Sequence, residues 1–459
     1  MMLRELLSTP SVLLGLVTFI GLCLQKKSVD YIIKGTITTV IGYTLLSVGS
    51  NVLQTQALND FATLISFDFH VQGVVPNMEA VASLGIAQYG TLITQTMLVG
   101  MVANLYIARN TKFHYIFLTG HHTLYMACLL VVVLKQSHMA SWQIVIAAGL
   151  VLGLLMSIMP GVMQKDMVQV VKNDKIAYGH FSVLGCFVAS KVASLVKDKK
   201  KEINKDIQIH PRIGFMKDST VCIFIVMSIV FLLVTGIAAA QVDLIELNIL
   251  YDETMYANWV IYAFSKSAIF AASIYVILAG VRMMVAEMVP AFKGIAKKVV
   301  PNGKPAVDCP IVFPYAPNSM MVGFLMSFIG GIITMFILLG LNYKIGYALF
   351  PIIVPGVVCH FFCGGAAGVF SNAKGGTRGC IIGSLVHGIF ITILSILIMP
   401  MLGMINLSGT TFSDSDYCVI GMLLGKMSSI VSGNLLFIIC IILFIIPVIF
   451  HRLSKKGVE

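Results

Sequence analysis

Charge is what this 459-residue sequence has least of: Asp, Glu, Lys and Arg together make 11% of it, against roughly 25% in an ordinary globular chain. So few charges cannot cover a water-facing surface, which excludes a soluble enzyme and a disordered binding segment. Catalytic signatures are missing too. There is no HExxH, no nucleophile elbow and no kinase glycine loop, and the glycine-rich stretch from Cys363 to Arg378 lacks the GxxxxGK[ST] spacing of a phosphate-binding loop. That stretch reads as close-packed small residues leading into a turn, and no catalytic residue is assigned. The ten cysteines do not form a disulfide framework. Cys23, Cys128, Cys186, Cys222, Cys359, Cys363 and Cys440 lie inside apolar runs, where a thiol acts as a small hydrophobe. Cys359, His360 and Cys363 have part of a metal-ligand spacing, but no second pair completes a four-ligand set. Packing is their expected role, and no metal or cofactor is expected.

What the chain does have is hydrophobicity. Apolar residues are 58% of it, and the mean hydropathy is +0.93. Its 31 basic residues outnumber 20 acidic ones. That balance suits nucleic acid or loops beside an anionic leaflet, and the long apolar runs between basic clusters decide for the membrane. A helix crosses a bilayer in about 20 residues. Runs of that order fall near 29–53, 91–108, 115–135, 142–164, 213–240, 257–288, 320–342, 344–370, 380–404 and 434–450. A first run, Pro10 to Leu24, is followed by Gln25, Lys26 and Lys27 without a small-residue cleavage site, so a retained segment is expected rather than a signal peptide. The expectation is an all-α, polytopic membrane protein with about ten to twelve spans.

One segment is too short for a span. Phe181 to Val196 contains Lys191 and is flanked by Lys165, Lys172 and Lys175 before it and Lys197, Lys199, Lys200, Lys201 and Lys205 after it. Lysine-rich loops favour the cytoplasmic face. With both flanks there, the segment enters and leaves on one side, as a re-entrant hairpin buried in protein or lining a wet cavity. An interfacial amphipathic helix is the alternative. The second lysine cluster also divides the chain into halves of about 1–205 and 206–459. Gly49 and Phe61 in one half match Gly280 and Phe292 in the other, with apolar residues at like offsets and a proline, Pro76 or Pro305, in the loop beyond. Transporters built from two structural repeats show such matches, with the site where broken helices meet.

Polar side chains within apolar helices are costly and so are functional candidates. His121 and Tyr125 share a helical face at the start of the run after Leu118, able to donate and accept hydrogen bonds to a hydroxyl-rich ligand. Helix-end histidines at the headgroup level are the competing reading, and His122, pointing elsewhere, is expected at the interface. His180 follows Gly179, where the chain can turn sharply. Asp308 precedes Pro310, Pro314 and Pro317, which preclude a regular helix and leave backbone groups without helical partners. Its competing reading is a turn carboxylate outside the membrane. Ser50, after Gly49, reads first as a packing residue. Arg282 and Glu287 either pair about a turn apart or snorkel separately.

Together, the phrase from Lys27 to Ile37, Leu118-Thr-Gly-His121, Gly179-His180, Gly280-Val-Arg-Met283 and Ala306-Val-Asp-Cys309 occur in an order that resembles a known family over nearly the whole chain. It is the ascorbate-specific membrane component, enzyme IIC, of the phosphoenolpyruvate-dependent sugar phosphotransferase system. The resemblance implies about eleven transmembrane helices with re-entrant hairpins, an inverted structural repeat, a core substrate domain interleaved with a V-shaped domain, and a homodimer in the bacterial cytoplasmic membrane. It implies translocation of L-ascorbate or a related sugar acid, phosphorylated from a phosphocysteine on a separate IIB protein that IIA charges. No phosphoryl donor of the chain's own is expected. Ser50, His121, His180 and Asp308 match ligand contacts of the family, with Asp308 also suited to act as a base toward the attacked hydroxyl. Tyr125 and Phe181 stand where the family has glutamines, and Asn77 and Met78 stand at a Thr-Tyr pair. These departures alter the hydrogen bonds a ligand would find, leaving another sugar acid or a polyol open as substrate. Two rival functions are an ion-coupled secondary transporter with His121, His180 and Asp308 as proton relay, and a non-transporting sensor. The basic loops read as topology signals ahead of a docking surface for IIB.

Overall fold

A computed structural model describes residues 10–69, 73–197, 206–207, 212, 214–215, 218–243, 258–300, 302–346, 349–404 and 411–456, and for some of these, Ser50 among them, the backbone alone. Lys199, Lys200, Lys201 and Lys205 lie outside the described residues. Helices dominate, because an apolar chain in lipid must satisfy its backbone internally. Helix α1 (Pro10–Leu24) precedes α2 (Val29–Leu53), which passes through a π-helical turn (Gln54–Leu58) into α3 (Asn59–Phe69). Strand β1 (Gly73–Val74), α4 (Met78–Asn110), β2 (Tyr115–Phe117), α5 (Gly120–Lys135), α6 (Ser141–Val171), β3 (Ala177–Tyr178) and α7 (Val183–Leu195) follow. Then come α8 (Ser219–Gln241), α9 (Trp259–Val299), β4 (Lys304–Val307), a 3₁₀ segment (Cys309–Tyr315) and α10 (Pro317–Ile345). Strand β5 (Ile352–Ile353), a helical turn (Val357–Cys359), a π turn (His360–Gly364), α11 (Gly365–Met404), α12 (Ser415–Ile430) and α13 (Gly433–Lys456) complete the chain.

Among the described residues, 8 helical stretches are long and apolar enough to cross a membrane, so this is a multi-pass membrane protein. The sequence expectation was higher for identifiable reasons. The run at 115–135 opens with strand β2, so its helix begins only at Gly120 and is too short. The run at 344–370 is broken after Ile345, where Gly346 takes the left-handed conformation. The stretch Val357–Gly403 is counted once but turns at Gly376, whose φ of 64° interrupts the helix. The prolines after Asp308 act as expected, leaving a 3₁₀ segment in place of an α-helix.

The short strands connect the two halves of the chain. β1 pairs in parallel with β5, and β4 lies between β2 and β3, parallel to both. Beyond β1, the Asn77 amide donates to the Thr411 carbonyl at 3.1 Å. Every one of these pairings therefore joins a residue before 205 to one after 206. The order of elements also recurs. A helical stretch from Val29 to Phe69 precedes β1, and the 41-residue α9 precedes β4. Helix α7, inside the segment too short to span, has a buried start at Ser182 and Val183 and an exposed end, with Leu195 84% exposed. Lys191 on its exposed side lies over the Phe187 ring at 5.0 Å.

Nine of the ten cysteines are buried, and only Cys23 is exposed. Ion pairs tie polar groups at helix flanks: Lys374 to Asp166 at 2.7 Å, and Lys266 to Asp60 at 2.5 Å. Asp174, in the loop before β3, meets Lys304 at the start of β4 at 2.5 Å. Hydrogen bonds from Lys304 and then Gln164 hold its carboxyl below the ordinary carboxylate range.

Candidate functional site

An open cavity of about 870 Å³ lies where the chain repeatedly breaks from extended to helical. Six such breaks reach its wall: Asn77 before α4, His121 in the first turn of α5, His180 before α7, Asp308 before the 3₁₀ segment, Gly356 before the Val357 turn, and Asp414 before α12. The first amides of a helix have no partners inside it, and its N-terminal end carries partial positive charge. Helix starts gathered around one space favour an anionic or oxygen-rich occupant wherever their amides are not already capped, as those of α7 are.

Local sequence explains how the breaks are held. Gly179 is required by close approach: an added Cβ would lie 2.5 Å from the Ala306 carbonyl on β4. Its φ is not positive, so proximity to β4, rather than the sharp turn expected from sequence, is what demands glycine here. The Gly179 amide donates to the Val307 carbonyl at 2.7 Å, and the Thr119 hydroxyl donates to the Gly179 carbonyl. These bonds lock the Thr119–His121 and Gly179–His180 corners onto the strand that ends at Asp308. The start of α7 is capped from a distance. Asp416 accepts the Val183 and Leu184 amides at 3.0 and 2.8 Å, and Ser415 Oγ accepts the Gly185 amide at 2.9 Å. Asp416→Asn should lower the unfolding midpoint of the purified protein in detergent, at a cost of about 1–3 kcal/mol, because buried amides lose an acceptor. An unchanged midpoint would show that this cap carries no weight.

A cluster of imidazoles in the cavity wall lies between two carboxylates, Asp308 and Asp414. Asp308, 37% exposed, faces His121 Nε2 at 3.4 Å and His180 Nε2 at 3.8 Å. The His122 and His180 rings lie 3.7 Å apart between centroids, and His121 and His122 lie 4.5 Å apart. His122 Nδ1 is 2.5 Å from the Tyr417 hydroxyl. His122 is buried, so its expected place at the membrane interface is corrected. Its ring packs against that of His180 rather than facing outward. Asp308 also accepts the Cys309 amide at 2.7 Å, so it caps the 3₁₀ segment while presenting its other oxygen to the cavity.

Of the residues singled out in the sequence, Asn77, Met78, His121, Tyr125, His180 and Asp308 line this one cavity. Phe181 does not: its fully buried ring stacks on Phe117 at 5.0 Å, behind the histidines. Ser50 lies in α2, and its side chain is outside the description. Sequence reasoning missed His122, Arg282, Ser413 and Asp414 as wall residues. Arg282 carried a signal, a cation within an apolar helix, which was read as pairing or snorkelling. Asp414 carried none, because residues 405–414 look like an ordinary polar loop until Asn77 bonds to Thr411 and draws that loop to the cavity.

The profile of a family described as the PTS system sugar-specific permease component matches residues 5–416. A protein of Mycoplasma pneumoniae named the ascorbate-specific PTS system EIIC component is 28% identical over 421 residues, covering 83% of this chain. The chain spans 63% of that relative's length.

Proposed function

This chain belongs to the family of PTS system sugar-specific permease components, and on that premise we propose that it carries L-ascorbate or a related sugar acid across the bacterial cytoplasmic membrane, coupled to phosphorylation by a IIB protein. The substrate enters the cavity from outside and leaves toward the cytoplasm as a phosphate ester. IIA and IIB supply the phosphoryl group.

One observation carries this reading: chain breaks from both halves converge, with His121, His180 and Asp308, on one open cavity. A sugar acid brings a negative charge and several hydroxyls. Helix N-termini and Arg282 attract the charge, while Asp308 and the imidazoles accept and donate bonds to the hydroxyls. Asn77 and Tyr125 complete the set of direct contacts, and Phe181 holds the histidines from behind. Asp308 stands within reach of a hydroxyl poised for phosphoryl transfer and serves as its base.

The architecture we propose with this function has two inverted repeats, about 1–205 and 206–459, and further spans beyond the eight long stretches. Support comes from the recurring element order and from strands that pair between halves. On this reading Asn77, after β1, and Asp308, after β4, are counterparts. Helix α7 is the re-entrant arm, short and buried at its start. Two copies form the working unit.

Uptake into membrane vesicles tests the coupling. With IIA, IIB and phosphoenolpyruvate supplied, labelled ascorbate should accumulate as a phosphate ester, and a protonophore should leave the rate unchanged. Free ascorbate inside, or uptake abolished by the protonophore and indifferent to phosphoenolpyruvate, would replace this reading with an ion-coupled transporter.

A further inference from the structure

The thiols that sequence spacing assigns to packing acquire partners once the chain is folded. Cys359 ends a helical turn and Cys363 lies four residues on, in the π turn, and both are buried. From the loop before α12, Asp414 brings Oδ1 to 3.2 Å from Cys359 Sγ. Its other oxygen lies 3.7 Å from His180 Nδ1. That ring nitrogen is buried and has no hydrogen-bond partner among the described residues. The two sulfurs and a carboxylate oxygen of Asp414 all lie within 4.8 Å of one another.

A tetrahedral cation with Zn–O and Zn–S bonds of ordinary length holds its ligand atoms about 3.3–3.8 Å apart. The 3.2 Å between Cys359 Sγ and Asp414 Oδ1 is close to such an edge, and Cys363 lies near enough to join them. Two thiols and a carboxylate also form a donor set selective for soft cations over Mg²⁺ or Ca²⁺. In the sequence this set was invisible, since the missing partners lie far from the two cysteines along the chain.

We propose that Cys359, Cys363 and Asp414 form a binding site for a soft divalent cation of the Zn²⁺ type in the wall of the cavity, with His180 holding the second oxygen of Asp414 and solvent filling the fourth position. As each sulfur–metal bond forms, the thiol gives up its proton to solvent, so loading releases protons and weakens as pH falls. Two thiolates and a carboxylate leave the loaded site with one net negative charge.

The probe is Co²⁺, added to the full-length protein purified in detergent and first stripped with a chelator. One equivalent per chain should give the visible bands of a tetrahedral ion and a thiolate-to-cobalt charge-transfer band. Zn²⁺ should displace both, and Mg²⁺ neither. Cys363→Ser and Cys359→Ser should each weaken Co²⁺ binding by at least about tenfold. Asp308→Asn, which alters a neighbouring group of candidate ligands, should leave the charge-transfer band in place. Absence of that band in the wild-type protein would overturn the proposal. So would a band that survives both cysteine substitutions or vanishes in Asp308→Asn. Ascorbate binding to the stripped wild-type protein is measured separately, so the failure of one proposal leaves the other standing.

Discussion

Gly388→Val should prevent the protein from accumulating in folded, monodisperse form. A Cβ at Gly388 would fall 1.8 Å from the Ser327 carbonyl oxygen and 2.7 Å from its carbon. At Gly330, one would fall 2.3 Å from the Leu385 carbonyl oxygen. Helices α10 and α11 thus meet backbone to backbone, as membrane helices do where small residues replace side chains at the crossing. Neither obstruction is the end of a flexible side chain, so the helices must separate to admit a larger residue. Their separation also disrupts a buried polar cluster. Ser327 Oγ lies 2.8 Å from His360 Nδ1 and 2.9 Å from His387 Nδ1. The hydroxyl has one proton to give, so one histidine accepts from it and the other donates to it. Overpacking and the loss of these bonds together cost at least about 3 kcal/mol. Size-exclusion chromatography and thermal unfolding in detergent measure the effect, with Ile381→Val, on an exposed face of the same helix, as a near-neutral control. A monodisperse Gly388→Val protein with the wild-type unfolding midpoint would contradict the observed crossing.

Asp308→Asn and His180→Ala should each reduce affinity for the sugar by at least tenfold, about 1.4 kcal/mol. Asp308 is the one carboxylate set between His121 and His180. An amide of the same shape keeps a single acceptor oxygen, turns an NH₂ group toward the other imidazole and loses the charge. Charge-assisted bonds to hydroxyls are roughly twice as strong as neutral ones, so their loss falls directly on affinity. His180 is buried, and removing its ring exposes a gap between His122 and Asp308 in addition to losing a bonding partner. Equilibrium titration of the purified variants, with unfolding midpoints recorded in parallel, separates lost binding from lost structure. Near-normal affinity in both variants would remove the carboxylate and imidazole from the site.

The membrane class and six residues of the cavity wall were legible before folding. An ionisable group inside an apolar helix stands out by its cost, which is why His121, His180 and Asp308 could be picked from the chain alone. Tyr125 follows from helical spacing to His121. Helix boundaries were harder. Gly346 interrupts an apolar stretch read as one span, and β2 occupies the start of another. The pairing of β1 with β5 and of β4 with β2 and β3 had no local signal, because strands this short have no hydrophobic alternation to betray them. What those pairings assemble was equally hidden. His122 reads as interfacial until folding packs it against His180, and Asp414 as part of an exposed loop until Thr411 binds Asn77. Apolar surroundings foretold burial for all the cysteines named except Cys23, which is exposed, yet burial alone does not reveal which side chains face the sulfurs.

A structure of the purified protein determined with saturating L-ascorbate tests the central claim most directly. The account predicts the sugar in the cavity, with hydroxyls within hydrogen-bond reach of Asp308, His121 and His180. A sugar bound elsewhere on the chain, with that cavity empty of it, would contradict the account.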